Sequence, residues 1–359
     1  MDLGIEKKRT LFYLILIVAL SSSCAENKSL EKEINKPEMV ITSITDTLQF
    51  ISGIRVIFQD SKNNYWFGSH KEGVCRFDGK SFQYFTTNEG LSHNQIHSIQ
   101  EDKNGVIWFG TQNGVNSFDG ITFKNHMASV NETSQSQWKK ADTDLWFHAG
   151  NKEGVYKYDG QKLTYLAFPN PKVINPSNYY AVTSISKGKN DMLWMATYAG
   201  VFGYNGQDFT IINDETLGLD IQKEPLHVRS IFEDSKGRLW IGNNGIGVLL
   251  KEDEVIINFS EKHKLIHPLS SRKGDMSMPG TLEHVFIIQE DSAGNIWFGD
   301  RDTGAWKFDG KTMTNYTIND KLSTSMIWSI YEDNNSDLLF GIADGGVYKF
   351  NGKSFDRRF

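Results

Sequence analysis

Two cysteines, seven prolines and no excess of basic charge set the first limits on this 359-residue chain. Cys24 and Cys75 cannot build the disulfide framework that staples small exported domains, so a packed core has to hold the fold. A formal net charge of −6 leaves no basic face for phosphates, and no nucleic-acid partner is expected. The apolar run LFYLILIVAL at 11–20 has ten residues, too few to cross a bilayer as a helix. No helical apolar period persists after residue 24. The sequence also lacks G-x-S-x-G, HExxH and CxxC, so it nominates no catalytic residue, no metal site and no cofactor, and enzymatic activity is not the favoured expectation.

What the N-terminus does contain is Lys7, Lys8 and Arg9, the short apolar run, three serines and then Cys24. A charged start, an apolar core and small residues make an export signal over 1–23. Small residues directly followed by cysteine resemble the lipobox of bacterial lipoproteins. That resemblance implies that Cys24 is acylated and begins the mature chain, anchoring it to the cell envelope on a periplasmic or outer-membrane face. Residues 24–38 are polar and charged and read as a flexible tether; 39–53 form a lead-in segment. Cys75 lies in the apolar-aromatic GVCRFDG, where a buried thiol is expected.

From residue 54 onward one pattern recurs. QEDKNGVIWFGTQNGVNSFDG at 100–120 has counterparts beginning FQDSKNNYWFG, FEDSKGRLWIG, QEDSAGNIWFG and YEDNNSDLLFG, with weaker copies around Trp146 and Trp194. The key column is Trp66, Trp108, Trp146, Trp194, Trp240, Trp297 and Leu339. Each copy holds short aromatic and β-branched segments separated by turn chemistry such as Asp102-Lys103-Asn104-Gly105 and Asp119-Gly120. One small sheet cannot bury both its faces, whereas seven stacked in a ring can. The expected fold is all-β: a seven-bladed β-propeller of four-stranded antiparallel blades over 54–359.

Three chemical readings of these motifs are set aside. A calcium loop needs a bidentate Glu at its twelfth position, where the copies have Lys71, Asn113, Gly245 or Asp302. GVCRFDGKS and its relatives approach a P-loop but have five residues between the glycines and lie between strands. Acidic pairs such as Glu101/Asp102 and Glu290/Asp291 recur blade after blade, which points to architecture, whereas a catalytic carboxylate pair is set once.

The recurring Leu-Trp-Phe-Gly, Gly-Val and Phe-Asp-Gly elements resemble the two-component regulator propeller repeat. That resemblance implies an extracytoplasmic sensor part like those of bacterial hybrid histidine kinases. No transmitter follows the seventh copy within the 359 residues, so kinase activity of its own is not expected. The repeat is also similar to that of streptogramin lyases, which makes a propeller lyase one alternative and a protein-interaction scaffold another. The lyase His and Glu have no residue-by-residue match; Glu283-His284 is the one adjacent Glu-His pair near the funnel.

Residues that do not repeat are the candidates for recognition. Aligning the first strand of each copy puts Arg55, His97, Gln135, Thr183, Arg229, Phe286 and Trp328 in one column. Two positions before it come His227 and His284, and Asn94 and Tyr180 lie one further back. Arg55, Asn94, His97, Tyr180, His227, Arg229, His284 and Trp328 are therefore the candidate ligand-binding residues at the mouth of a central funnel. Arginines and flat aromatic faces suit a small anionic or carbohydrate-like ligand, with an envelope protein as the other candidate partner. Histidine protonation is expected to strengthen binding below about pH 6.5. His227 and His284 lack a third ligand and no metal is assigned to them. The loops after the second strands, at 69–72, 148–153 and 300–302, and the insertion at 260–284, share that face.

The expected function is a membrane-tethered, extracytoplasmic ligand-binding or sensing propeller. Replacing Cys24 by Ser is expected to leave the propeller folded and release it from membranes, because stable anchoring needs more than one acyl chain on the protein. Detergent partitioning that stays unchanged in Cys24→Ser would remove the lipid anchor.

Overall fold

The computed structural model describes residues 44–128, 138–169, 180–220, 223–273, 275–318 and 324–359. Cys24 and the export signal and tether lie outside them. Within the unit formed by residues 39–359, seven antiparallel sheets follow one another in chain order, a seven-bladed β-propeller. Five sheets are four-stranded. The first gains a fifth strand, Ile44–Thr45, on its outer edge, so part of the lead-in segment joins a blade. The third shows three strands, Leu145–His148, Gly154–Tyr158 and Leu163–Ala167; Thr133 and Gln135, expected on its inner strand, lie outside the described residues. Among the described residues no helix is long and apolar enough to cross a membrane.

The tryptophan column shows how one blade is held to the next. Trp66 is buried with Ile96, Phe109 and Phe118 of the second blade, its ring 5.5 Å from that of Phe109. Trp240 packs on Phe298 of the following blade at 5.6 Å, and Trp297 on Phe340 at 5.4 Å. Each indole N–H is also held by its own turn. Trp66, Trp108, Trp240 and Trp297 donate to the Asp six residues earlier at 2.8, 3.0, 2.8 and 2.7 Å. The other oxygen of that Asp accepts backbone N–H groups; Asp60 takes those of Lys62 and Asn64.

The glutamate of each pair works across the blade boundary. Glu101 accepts from the backbone and hydroxyl of Ser61 in the preceding blade, at 2.8 and 2.5 Å, and Glu290 does the same for Ser235 at 2.6 Å in both bonds. Repetition of Glu-Asp is thus structural, as expected. In the fourth blade Gly188 stands where Asp would be, and Trp194 donates instead to Glu233 of the next blade at 2.5 Å.

The closing seam follows the same scheme with altered residues. Leu339 has no side-chain N–H to satisfy Asp333, and Tyr65 of the first blade, where other copies have Ile or Leu, donates its hydroxyl to that carboxylate at 2.5 Å. Gln59 replaces the usual Glu and accepts the Asn334 N–H at 2.9 Å. Ser329 Oγ reaches the Ile54 carbonyl at 2.9 Å.

The inner strands carry one irregularity each. In Ile54–Gln59, Ile96–Glu101, Val182–Lys187, Val228–Glu233, Val285–Glu290 and Ile327–Glu332 the pairing register shifts at the second residue. Ile54 and Val56 oppose consecutive partners, Ser69 and Gly68, leaving Arg55 as the extra residue of a β-bulge. The corresponding extra residues are His97, Thr183, Arg229, Phe286 and Trp328. Opposite each bulge most second strands have glycine because space is absent: a Cβ on Gly299 would meet Ile287 Cγ2 at 2.4 Å and Ile327 Cβ at 2.8 Å.

Trp240→Ala is expected to cost about 3–5 kcal/mol through lost burial and a cavity. Asp234→Ala leaves the buried indole N–H and two backbone donors unpaired, at about 1–3 kcal/mol for each group that water does not reach. Tyr65→Phe removes one bond at the seam and is expected to fall between no effect and the Asp234→Ala loss. Urea unfolding of the three variants measures the order; equal, negligible losses would contradict this account of blade coupling.

Candidate ligand site in the central channel

The inner strands surround a cavity of about 690 Å³. Bulging explains who reaches it: in a regular strand alternate side chains face opposite sides, and the extra residue is re-aimed. Arg55, His97, Thr183, Arg229, Phe286 and Trp328, all bulge residues, line the wall. The second-strand ends and following loops add His70, Gln112, His148, Asn151 and Tyr198. Among the described lining residues there is no Asp or Glu.

Three clusters divide the wall. Between the last and first blades, the Arg55 guanidinium lies over the Trp328 ring at 5.4 Å and 3.5 Å from His70 Nδ1, while His70 meets Trp328 edge-on at 4.7 Å. Trp328 Nε1 is buried without a hydrogen-bond partner. Between the second and third blades, His97 stacks on His148 at 4.9 Å and its Nε2 is 2.8 Å from Gln112 Oε1. On the opposite side, the Arg229 guanidinium is held between Tyr198 at 5.0 Å and Phe286 at 4.6 Å. Arginines clamped against rings in this way are pre-organised forks for an anion.

Four sequence candidates, Arg55, His97, Arg229 and Trp328, therefore stand on the wall. The structure does not bring Asn94, Tyr180, His227 and His284 to it. Asn94 Oδ1 accepts the Thr87 N–H and caps a loop. Tyr180 is buried in a blade core against Phe202. His227 sits behind the wall, its ring edge-on to Tyr198 at 5.0 Å. His284 is fully buried beside Asp302, and its neighbour Glu283 holds His267 N and Ser270 Oγ of the insertion. Glu283-His284 is thus committed to pinning the insertion and does not face the channel. Arg272 of the same insertion is paired with Glu224 and Glu261.

The wall residues His70, Gln112, His148, Asn151 and Tyr198 lie outside the aligned column, and two of them differ in what could have marked them. Tyr198 belongs to a loop after a second strand and had no repeated neighbour to mark it. His148, placed only within a loop group, carries a sequence signal: it occupies the column of Gly68, Gly110, Gly242, Gly299 and Gly341. A break in a glycine column that packing enforces elsewhere is the sign that could have found it.

Residues 90–113 and 224–245 match the family model described as the two component regulator propeller. A 43-residue stretch is 49% identical to a histidine kinase of Formosa agariphila and covers 12% of this chain but 3% of that protein. In fold, the chain is similar to the extracellular domain of a putative hybrid two component system from B. thetaiotaomicron, with a TM-score of 0.63 and 18% identity over 86% of this chain and 40% of that one. The chain spans less than half of that structure. A virginiamycin B lyase from Staphylococcus aureus has a TM-score of 0.62 and 15% identity, over 86% of this chain and 98% of the lyase.

Burial sets the charge state of the channel. It pulls His97 down to about 3 and His70 to about 4, and the Arg55 charge adds to both shifts. His148 is pushed well below its usual value, again by burial first. Arg55 itself is lowered to about 10 by burial and remains charged at neutral pH. With no ligand bound these imidazoles do not protonate at pH 6.5, so the expected strengthening of binding there moves to more acid conditions. The folded values lie below the unfolded value of about 6.5, so the unfolded chain takes up protons first as pH falls. The histidine contribution to stability is full above that value and is lost progressively down to the folded values near 3 and 4. Urea midpoints are therefore expected to fall between pH 7 and 4.5, and less steeply in His97→Gln. An unchanged slope in that variant would show that His97 is not the group responsible.

Proposed function

We propose that this chain, built of two-component regulator propeller repeats, is a sensing module that takes a small anionic ligand into its central channel. The observation that carries the reading is a wall holding two ring-clamped arginines and, among the described lining residues, no carboxylate. Guanidiniums held against rings present fixed, forked donors, and an entering anion would pair with them. The Trp328 ring holds Arg55 in place for the same group. A volume near 690 Å³ is in the range of small-molecule sites. Attachment to an envelope membrane through acylated Cys24 would place the module outside the cytoplasm, where the extracellular domains with the same fold are found.

The test is a thermal-shift screen of sugars, sugar acids, sulfate and phosphate esters against the full chain, followed by titration of any hit. Arg55→Ala and Arg229→Ala are each expected to weaken an anionic hit at least tenfold, and Trp328→Ala to weaken it less. A hit bound equally well by both arginine variants would move the site out of the channel, and the insertion at 260–284 would be tested next.

A further inference from the structure

The two guanidiniums of the channel are held at separate stations. Arg55 comes from the first blade and Arg229 from the fifth, so three blades lie between them one way round the ring and two the other way. Arg55 rests on Trp328 of the last blade, beside His70, whereas Arg229 is gripped between Tyr198 of the fourth blade and Phe286 of the sixth. Each arginine is the extra residue of its bulge, lines the same cavity and keeps part of its surface exposed. The third cation among the described lining residues, Lys187, stands at the far end of its strand from the bulge at Thr183, and its Nζ reaches the Asp142 carbonyl at 3.4 Å.

A clamped guanidinium pairs with a planar carboxylate through two parallel N–H···O bonds. One carboxylate fills one such fork. To share it, the second arginine would have to leave the rings that hold it. Burial lowers the Arg55 pKa and the Arg229 charge pushes it the same way, so the two cations act on each other across the cavity. A second negative group on the same ligand would relieve that repulsion and fill the second fork. It would do so without a second cost of association, provided the ligand spans the two stations.

We propose that the channel ligand is a compact dianion with an acidic group at each end, one for Arg55 and one for Arg229. This rests on the channel reading above and narrows it from an anion to a terminal dicarboxylate. The spacing of the two ends, set by the clamping rings, then selects ligand length, and the absence of Asp and Glu among the described lining residues leaves both forks to the ligand.

Titrations of the full chain with unbranched diacids of four to eight carbons, each beside its own monoamide, separate the second charge from size and shape. At one length the diacid is expected to bind about tenfold or more tightly than its monoamide, with a smaller preference at shorter and longer lengths. In Arg55→Gln and in Arg229→Gln that preference is expected to disappear, whereas a merely structural disturbance would weaken both probes alike. Equal binding of diacid and monoamide at every length overturns the two-ended dianion while the anion site survives. Inorganic phosphate bound as tightly as the best diacid overturns it too, because both guanidiniums would then converge on one group. If neither diacids nor monoamides bind, the channel reading falls and this inference with it. The comparison on the parent protein decides the matter even if an arginine variant does not fold.

Discussion

Six of the seven blades contribute a tryptophan that belongs to one sheet and is buried against the next. A four-stranded sheet exposes two faces, and Trp66, Trp108, Trp240 and Trp297 convert the exposed face of one blade into the core of its neighbour. Burying an indole also buries an N–H, which must be paired, and the turn Asp six residues earlier supplies the acceptor. One residue type thus joins local turn geometry to the packing between blades. Where the tryptophan is missing, at Leu339, the system is rebalanced by Tyr65, whose hydroxyl takes the vacant Asp333 oxygen and closes the ring.

The channel follows from a second constraint. The six described inner strands crowd around one axis, and the glycines opposite most of them show how little room their Cβ positions have. A bulge relieves that crowding by adding one residue to the inner strand, and that residue has no cross-strand partner. It is consequently free of the ladder and free to vary. The structure concentrates chemical diversity, Arg, His, Thr, Phe and Trp, at the position where the sheet imposes least.

The chemistry of the wall is asymmetric. Arginines held against Trp328, or between Tyr198 and Phe286, cannot swing out to water easily, while burial, with the Arg55 charge adding to it, suppresses protonation of His97 and His70. The result is a wall that combines fixed cationic donors with neutral imidazoles within one cavity. Such an arrangement selects by pairing each ligand group with its complement and by leaving mismatched groups unpaired.

Seven copies, the antiparallel hairpins and the structural use of Glu-Asp were all legible in the residues, because turn chemistry and strand periodicity are local and repetition averages out their noise. The column Arg55, His97, Arg229, Trp328 was legible too, since non-repetition against a repeating background marks freedom from structural duty. Its neighbours were not separable in the same way. His227, His284, Asn94 and Tyr180 differ from the column by two or three positions, and only the bulge decides which of these neighbouring residues faces the axis. A register shift depends on how two strands and the next blade pack together, and no single strand encodes it. The pairing of Tyr65 with Asp333, 268 positions apart, is of the same kind. The chain alone determined a ring of seven blades; the tertiary structure decided which side chains meet at its centre, because crowding around the axis exists only once the ring has closed.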